Sequence, residues 1–189
     1  DTKTAYFGTY NTTLDTYTKQ IFKDDFTKGG IENAETKSKY NTPFNYTKKT
    51  AYKAISSSEI KTELDTLIGK KRFLELTITP KRKINILQFL TKSKLTLYQF
   101  KVNDELVNKG KKHSLKSGTF LVYRLGNNDK EVTLSFSVNV DQNLDLTLNE
   151  ISYDLLTNKN FKLKPRAEDM MPMPFVTNDA IIISKQLNF

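Results

Sequence analysis

Cysteine and tryptophan are missing from these 189 residues, and histidine occurs once. The lack of cysteine excludes a disulfide framework and thiolate metal sites. It does not fix a compartment, since many bacterial extracytoplasmic domains also lack cysteine. One histidine cannot build a structural zinc site, nor the three-ligand set a catalytic zinc generally takes. Arginine is scarce as well, confined to Arg72, Arg82, Arg124 and Arg166. Arginine is the side chain that reads bases and grips phosphates with two parallel hydrogen bonds. No run of about 18 apolar residues occurs, so no segment is predicted to cross a bilayer as a helix. The chain opens on "DTKTAYFGTY" without Met or a signal-peptide pattern, and is expected to be a fragment of a longer protein.

What is present points to a β-rich domain with a lysine-covered surface. Hydrophobic residues are 37% of the chain, and 12 Phe and 9 Tyr supply much of the area a core needs. At 21.8 kDa the chain fits one large domain, or a domain with an appended subdomain. The formal charge of +9 is almost all lysine, spread along the length among Asp and Glu. That pattern describes a solvated face, and nucleic acid is not an expected partner. The clusters "KKR" (Lys70 to Arg72) and "KRK" (Lys81 to Lys83) offer a small face for lipid headgroups or a partner.

Periodicity divides the chain near residue 58. Residues 1–58 read as an extension made of strand, short helix and loop. "TAYFGTY" has strand-forming aromatics, and "NTTLDTYTKQIF" places Leu14, Tyr17, Ile21 and Phe22 at helical spacing. Thr12 and Asp15 stand in a capping-box-like arrangement. The polar stretch "TKGGIENAETKSKYNTPFNYTKK" reads as an irregular loop, and "SSS" at Ser56 to Ser58 as a linker.

Residues 59–189 read as an antiparallel two-sheet β-sandwich, because short strands recur about every ten residues between Gly, Asn and Asp turns. "RFLELTIT" sets Leu74, Leu76 and Ile78 on one face; "PKRK" turns and "INILQF" returns. "KLTLYQFKV" opposes Leu95 and Leu97 to Tyr98, Phe100 and Val102. "GTFLVYRL" passes through the hairpin signal "GNNDK" into "EVTLSFSVNV". There Val132, Leu134, Phe136, Val138 and Val140 share one side. The phase of "LDLTLNEISYDLL" slips after Leu148, which predicts a bulge or a strand end. "AIIIS" is expected as a buried final strand.

Side chains that carry chemistry are few. His113 sits in the lysine-rich "NKGKKHSLKSG", expected to be an exposed loop, and no G-x-S-x-G elbow presents a serine. The acid pairs Asp24 with Asp25, Glu168 with Asp169, and Asp141 with Asp145 fall where caps and turns want acids; they are weighed and set aside as glycosidase pairs. No phosphate-cradling glycine motif is present. Tyr6, Tyr10, Tyr40, Tyr46 and Tyr52 are the aromatic candidates for sugar or peptide contact. The N-x-T sites at Asn11 and Asn45 matter only in a glycosylating host. No catalytic or metal-ligating residue is therefore assigned.

Near the carboxyl end, "MMPMPF" gathers all three methionines and two of the five prolines into five of its residues. Pro172 and Pro174 forbid a helix, and methionines fill irregular gaps, so an extended strap plugging a surface groove is expected. It is read either as sealing its own domain or as a seam against a neighbouring one. Met170, Met171, Met173 and Phe175, with Leu14 and Tyr17 of the amino-terminal helix, are the candidate interdomain contacts.

"KPRAEDMMPMPFVTNDAIIISK" resembles the ending of bacterial zinc peptidases of the aminopeptidase class, family M-twenty-eight, with a similar "R-x-x-x-M-M-P-x-P-F-V-x-x-D-A" segment. "TYNTTLDTYTKQIF" looks like the "L-D-x-W-T-K-Q-F" stretch of the membrane-embedded branch, related to the endoplasmic-reticulum metallopeptidase and the fungal vacuolar membrane protease. Tyr17 stands where Trp is commoner. "GKRFLELTITPKRKIN" belongs to the looser middle of the likeness. The resemblance implies a β-rich, non-catalytic accessory domain on the extracytoplasmic (periplasmic) side, tethered through upstream membrane spans and close to the membrane surface. Its partner would be the peptidase domain of the same chain, which it stabilises, orients or assists in substrate binding. The resemblance implies no cofactor in these residues; the zinc belongs to the peptidase domain. A stand-alone carbohydrate- or peptide-binding module is the alternative. Nucleic-acid binding, motivated by charge alone, would require a contiguous basic face.

Overall fold

Alternation of apolar and polar residues decides where the strands fall, and the computed structural model places thirteen of them among the described residues. It describes residues 3–31, 38, 42–127 and 129–189. The protein is mainly β, with antiparallel sheets and, among the described residues, one short α-helix and a 3-10 turn at Val107–Gly110. The chain gathers into two compact units. The first comprises Asp1–Ile55 and Tyr153–Ile181; the second comprises Ser56–Ser152 and Ile182–Phe189.

In the first unit, β1 (Ala5–Thr9), β2 (Thr27–Lys28) and β3 (Tyr46–Thr50) form a sheet in the order β1-β3-β2. Ala5 pairs with Thr50, Thr9 with Tyr46, and Thr27 with Thr47. Gly8 is dictated by packing: a Cβ there would meet the Phe44 ring at 2.8 Å. That ring lies 4.5 Å from the Tyr10 ring, and both are buried. The helix α1 (Thr16–Phe22) buries Tyr17 and Phe22. Its cap is Asp15, whose Oδ1 accepts from the Thr18 N–H and the Thr18 hydroxyl, each at 2.7 Å. Thr12, the expected cap partner, instead accepts the Tyr46 hydroxyl at its carbonyl (3.1 Å). Leu14 precedes the helix. The irregular loop expected over residues 27–49 is bounded instead by strands, β2 at its start and β3 at its end, because Thr and Tyr there pair with β1 and each other; residues 32–37 and 39–41, Tyr40 included, lie outside the described residues.

The second unit holds two sheets. The larger runs β4 (Glu59–Ile68), β5 (Lys71–Thr79), β11 (Val132–Asn139), β7 (Leu95–Val102), β8 (Glu105–Leu106), with β9 (His113–Leu115) also paired to β7. The smaller runs β10 (Gly118–Arg124), β6 (Ile86–Thr91), β12 (Leu146–Ser152), β13 (Ile181–Leu187). One hydrophobic cluster draws on both: Leu74, Leu76 and Ile78 from β5, Phe89 from β6, and Leu95, Leu97 and Phe100 from β7. Alternate residues of β11 complete it with Phe120, Leu146 and Leu148. A chain of rings links the sheets, Phe89 to Phe120 to Phe100 to Phe136, with centroids 6.0, 6.1 and 6.2 Å apart.

Several expectations change here, each for a physical reason. The conflicting phases of "KLTLYQFKV" are reconciled by a bulge. Ser135 and Ser137 of β11 face Lys101 and Tyr98, so β7 fits three steps against two, with Gln99 at φ +49°. Leu95, Leu97 and Phe100 are thereby all buried. In contrast β12 has no bulge; it pairs with β6 in unbroken register from Leu146–Thr91 to Ile151–Ile86, and every residue of it is buried. Two of its buried polar residues bond to neighbours: the Thr147 hydroxyl donates to Gln186 Oε1 (3.1 Å), and Glu150 Oε1 accepts the Ser58 N–H (2.7 Å). Val140 falls just past the end of β11, in a turn, and is 51% exposed. The "GNNDK" segment makes no hairpin. It carries the chain from β10 in one sheet to β11 in the other, with Asp129 Oδ2 accepting from the Gly126 N–H at 2.7 Å. "PKRK" likewise leads from β5 to β6 across sheets. Turn chemistry encodes reversal, not the identity of the next neighbour. The closing strand β13 is an edge strand, with Ser184 to Gln186 exposed.

Candidate functional site

The carboxy-terminal strap belongs to the first unit and is fixed at its base. Arg166 forms an ion pair with Asp179, and its guanidinium carbon stands 4.5 Å above the centre of the Tyr17 ring. Asp179 also accepts the Leu155 N–H at its carbonyl (3.1 Å). Within the strap, Asn178 Nδ2 donates to the carbonyls of Met173 (2.6 Å) and Val176 (3.1 Å), and the Met170 N–H donates to Ala167 (2.9 Å). A planar, permanently charged guanidinium can satisfy a carboxylate and cover a ring at once, which lysine cannot.

The strap's side chains do not plug a groove. Met171 is 86% exposed and Phe175 is 71% exposed, with Met173 exposed between them. The backbone explains the outward presentation: the chain turns at Pro174–Phe175, and Phe175 takes φ +63°, a region bulky side chains rarely visit. Met170 is half-buried. Tyr17, by contrast, is buried beneath Arg166 at 5% exposure. Leu14 is half-buried and lines a separate shallow groove. Arg166, Asp179, Tyr17 and Asp15 form one electrostatic group. Burial pushes the Asp15 carboxyl up, but the Thr18 hydrogen bonds and the Arg166 charge outweigh it and hold it below the usual range. Burial raises the Tyr17 phenol, and Arg166 opposes that rise.

A second polar cluster, missed at the level of sequence, lies in the second unit. Glu150 on β12 is 0% exposed; its Oε1 accepts the Ser58 N–H at 2.7 Å. Arg82 donates to the Ser56 carbonyl (3.1 Å) and to the Ser152 hydroxyl. Glu150 Oε2, Ser58 Oγ and Arg82 Nη2 are buried without a protein partner. Burial raises the Glu150 carboxyl, against the hydrogen bond from the Ser58 N–H and the charges of Arg82 and Lys185. The signal was a glutamate continuing the phase of Leu146 and Leu148 in "LTLNEIS". The "SSS" segment thus does more than link: Ser58 docks on a buried acid.

The other candidates are scattered. His113 lies half-buried in β9, opposite Leu97, rather than in a loop. Asp25 pairs with Lys48 at 3.6 Å while Asp24 faces the groove of Leu14. Glu168 and Asp169 sit exposed in a turn, and Asp145 Oδ1 accepts from Gln186 (2.6 Å) with Asp141 exposed. Tyr10 is buried, its phenol pushed up to about 12 by desolvation. Tyr46 packs edge-on with Phe26; Tyr6 and Tyr52 are exposed. Asn45 Nδ2 donates to the Tyr10 carbonyl (2.7 Å), and Asn11 Nδ2 to Asp15 (3.2 Å). Among the described residues no group of three or more His, Cys, Asp or Glu is placed to hold a metal, and no helix is long and apolar enough to cross a membrane.

Fold and site together define a mainly β protein of antiparallel sheets that carries an exposed methionine–phenylalanine strap. No protein-family model, curated protein or solved structure matches the chain.

Proposed function

We propose that this chain is the non-catalytic accessory domain of a zinc peptidase of the aminopeptidase class, family M-twenty-eight, and that the strap is its docking edge for the peptidase domain. One observation carries this reading: Met171, Met173 and Phe175 are held in solvent on a loop tied down at Arg166, Asn178 and Asp179. Exposed apolar side chains on a pinned backbone lose little conformational freedom when covered, which suits an interface. Met171 and Phe175 supply the buried area; Arg166 and Tyr17 position them from beneath. The two sheets of the second unit are read as a face-to-face sandwich, supported by the ring chain from Phe89 to Phe136. The domain sits on the extracytoplasmic side, beside membrane spans of the same parent, and the zinc belongs to the peptidase domain.

The test pairs genetics with biochemistry. The reading frame upstream of Asp1 should encode a zinc-peptidase domain followed by hydrophobic spans. In the full-length protein, Met171→Ser with Phe175→Ser should loosen the contact by roughly tenfold or more, read as faster proteolytic release of the accessory domain. Stoichiometric zinc in the purified chain, or its chelator-sensitive hydrolysis of an aminoacyl substrate, would overturn the reading.

A further inference from the structure

Beside α1, wholly within the first unit, lies a groove of about 590 Å³ with Leu14, Phe26 and Tyr46 on its walls and Lys19, Lys23 and Lys28 at its rim. None of these three ammonium groups has an ion-pair partner among the described residues, and Asp24 is the one acid lining the groove. Three cations against one acid leave the concavity with an excess of positive charge, which an incoming anion offsets. Lys23 is also held at φ +51°, ψ −137°, a conformation costly for a side chain with a Cβ. Its neighbours impose that geometry: its N–H closes the helix on the Lys19 carbonyl at 2.9 Å. Phe26 meets Tyr46 edge to face at 5.3 Å and 86°, so the rings are not stacked on each other, and Phe26 is partly open to solvent.

We infer that this groove binds an acidic saccharide, a uronate- or sulfate-bearing sugar whose oxyanion sits among Lys19, Lys23 and Lys28 and whose apolar ring face rests on Phe26. Lysines, as flexible point charges, accept an oxyanion without demanding one geometry. The aromatic wall is superfluous for a bare inorganic anion, and no glycine-rich cradle suits a nucleotide phosphate. This inference stands apart from the peptidase reading and survives its failure.

Calorimetric titration of the full chain with tetragalacturonate tests it, with inorganic sulfate and phosphatidylglycerol vesicles as parallel arms. Lys19→Glu or Lys28→Glu should each weaken tetragalacturonate binding by roughly tenfold, and added salt should weaken it further. Phe26→Ala should weaken tetragalacturonate and leave sulfate unchanged. Residues 106–128 contain no acid at all, so Lys111→Glu with Lys112→Glu is the stringent control and should change nothing. Should a reversal disturb thermal unfolding, Lys28→Gln replaces it with the same expected direction. Absence of tetragalacturonate binding at millimolar concentration, an equal loss in the control, or binding to vesicles alone would overturn the inference.

Discussion

At the scale of single residues, the protein divides its cations by shape. Three of its four arginines are fixed into the structure. Arg72 makes a two-pronged contact with Asp65 (2.8 and 2.7 Å), Arg82 bridges Ser56 and Ser152, and Arg166 joins Asp179 to Tyr17. Lysines mostly stay in water, and Lys71, 3.1 Å above the Tyr98 ring centre, is an exception. The scarcity of arginine in the sequence therefore marked structural fasteners, a meaning visible only once their partners were known. Glu150 is the residue whose chemistry is most displaced by its surroundings. Its folded-state proton affinity is raised above the ordinary value of 4.5, so the folded protein holds the proton more tightly than the unfolded chain. Stability from this group is full below 4.5 and is lost as pH rises through the raised value. Glu150→Gln should remove that slope, so the variant gains on the parent as pH increases in urea unfolding from pH 4 to 8. Parallel curves would show that the buried carboxyl titrates normally.

Among elements, β7 shows how a strand escapes its own sequence pattern. Leu95 and Leu97 belong to one phase, Phe100 to the other, and the extra residue at Gln99 lets all three face the core. Deleting Gln99 should remove the bulge and leave Phe100 two positions after Leu97, in phase with the core face, so the ring stays buried and the cost is small, whereas Phe100→Ala should cost about 3–5 kcal/mol. Chemical denaturation monitored by circular dichroism measures both; a deletion as costly as Phe100→Ala would mean that the bulge does more than set the phase of Phe100. Strand positions were readable because period-two alternation follows from backbone geometry. Leu74, Leu76 and Ile78 are buried as their spacing required, as are Val132, Leu134, Phe136 and Val138. Sheet membership was not readable. Neither "GNNDK" nor "PKRK" says whether the chain folds back beside itself or crosses to another layer, because that choice is made by distant partners. The strap was conspicuous through its methionines and prolines. Its anchor was hidden, since Arg166, Asp179 and Tyr17 are far apart in sequence and carry no shared motif. The groove lysines were visible only as part of a general positive charge.

Considered whole, both units are assembled from pieces distant along the chain. Residues 153–181 complete the first unit begun by residues 1–55, and the last eight residues return to the second. The edge strand β13 flanks β12, whose seven residues are all buried, and Gln186 bonds to both Thr147 (3.1 Å) and Asp145 (2.6 Å). Truncation after residue 181 should uncover the β12 edge and yield a species prone to strand-to-strand association, seen as soluble aggregate by light scattering. A monodisperse truncated protein with unchanged unfolding would show that β13 is dispensable.

That interleaving constrains how the molecule is born. Emerging from the ribosome amino end first, at about 5–20 residues per second, residues 1–55 must wait seconds for their complement to be made. During that interval the ring of Phe7, which meets Phe161 at 6.4 Å, and Tyr17 of α1, which Arg166 covers, have only part of their final surroundings. Synthesis speed and any guardian that shelters nascent chains should therefore govern the yield of this protein more than its final stability does.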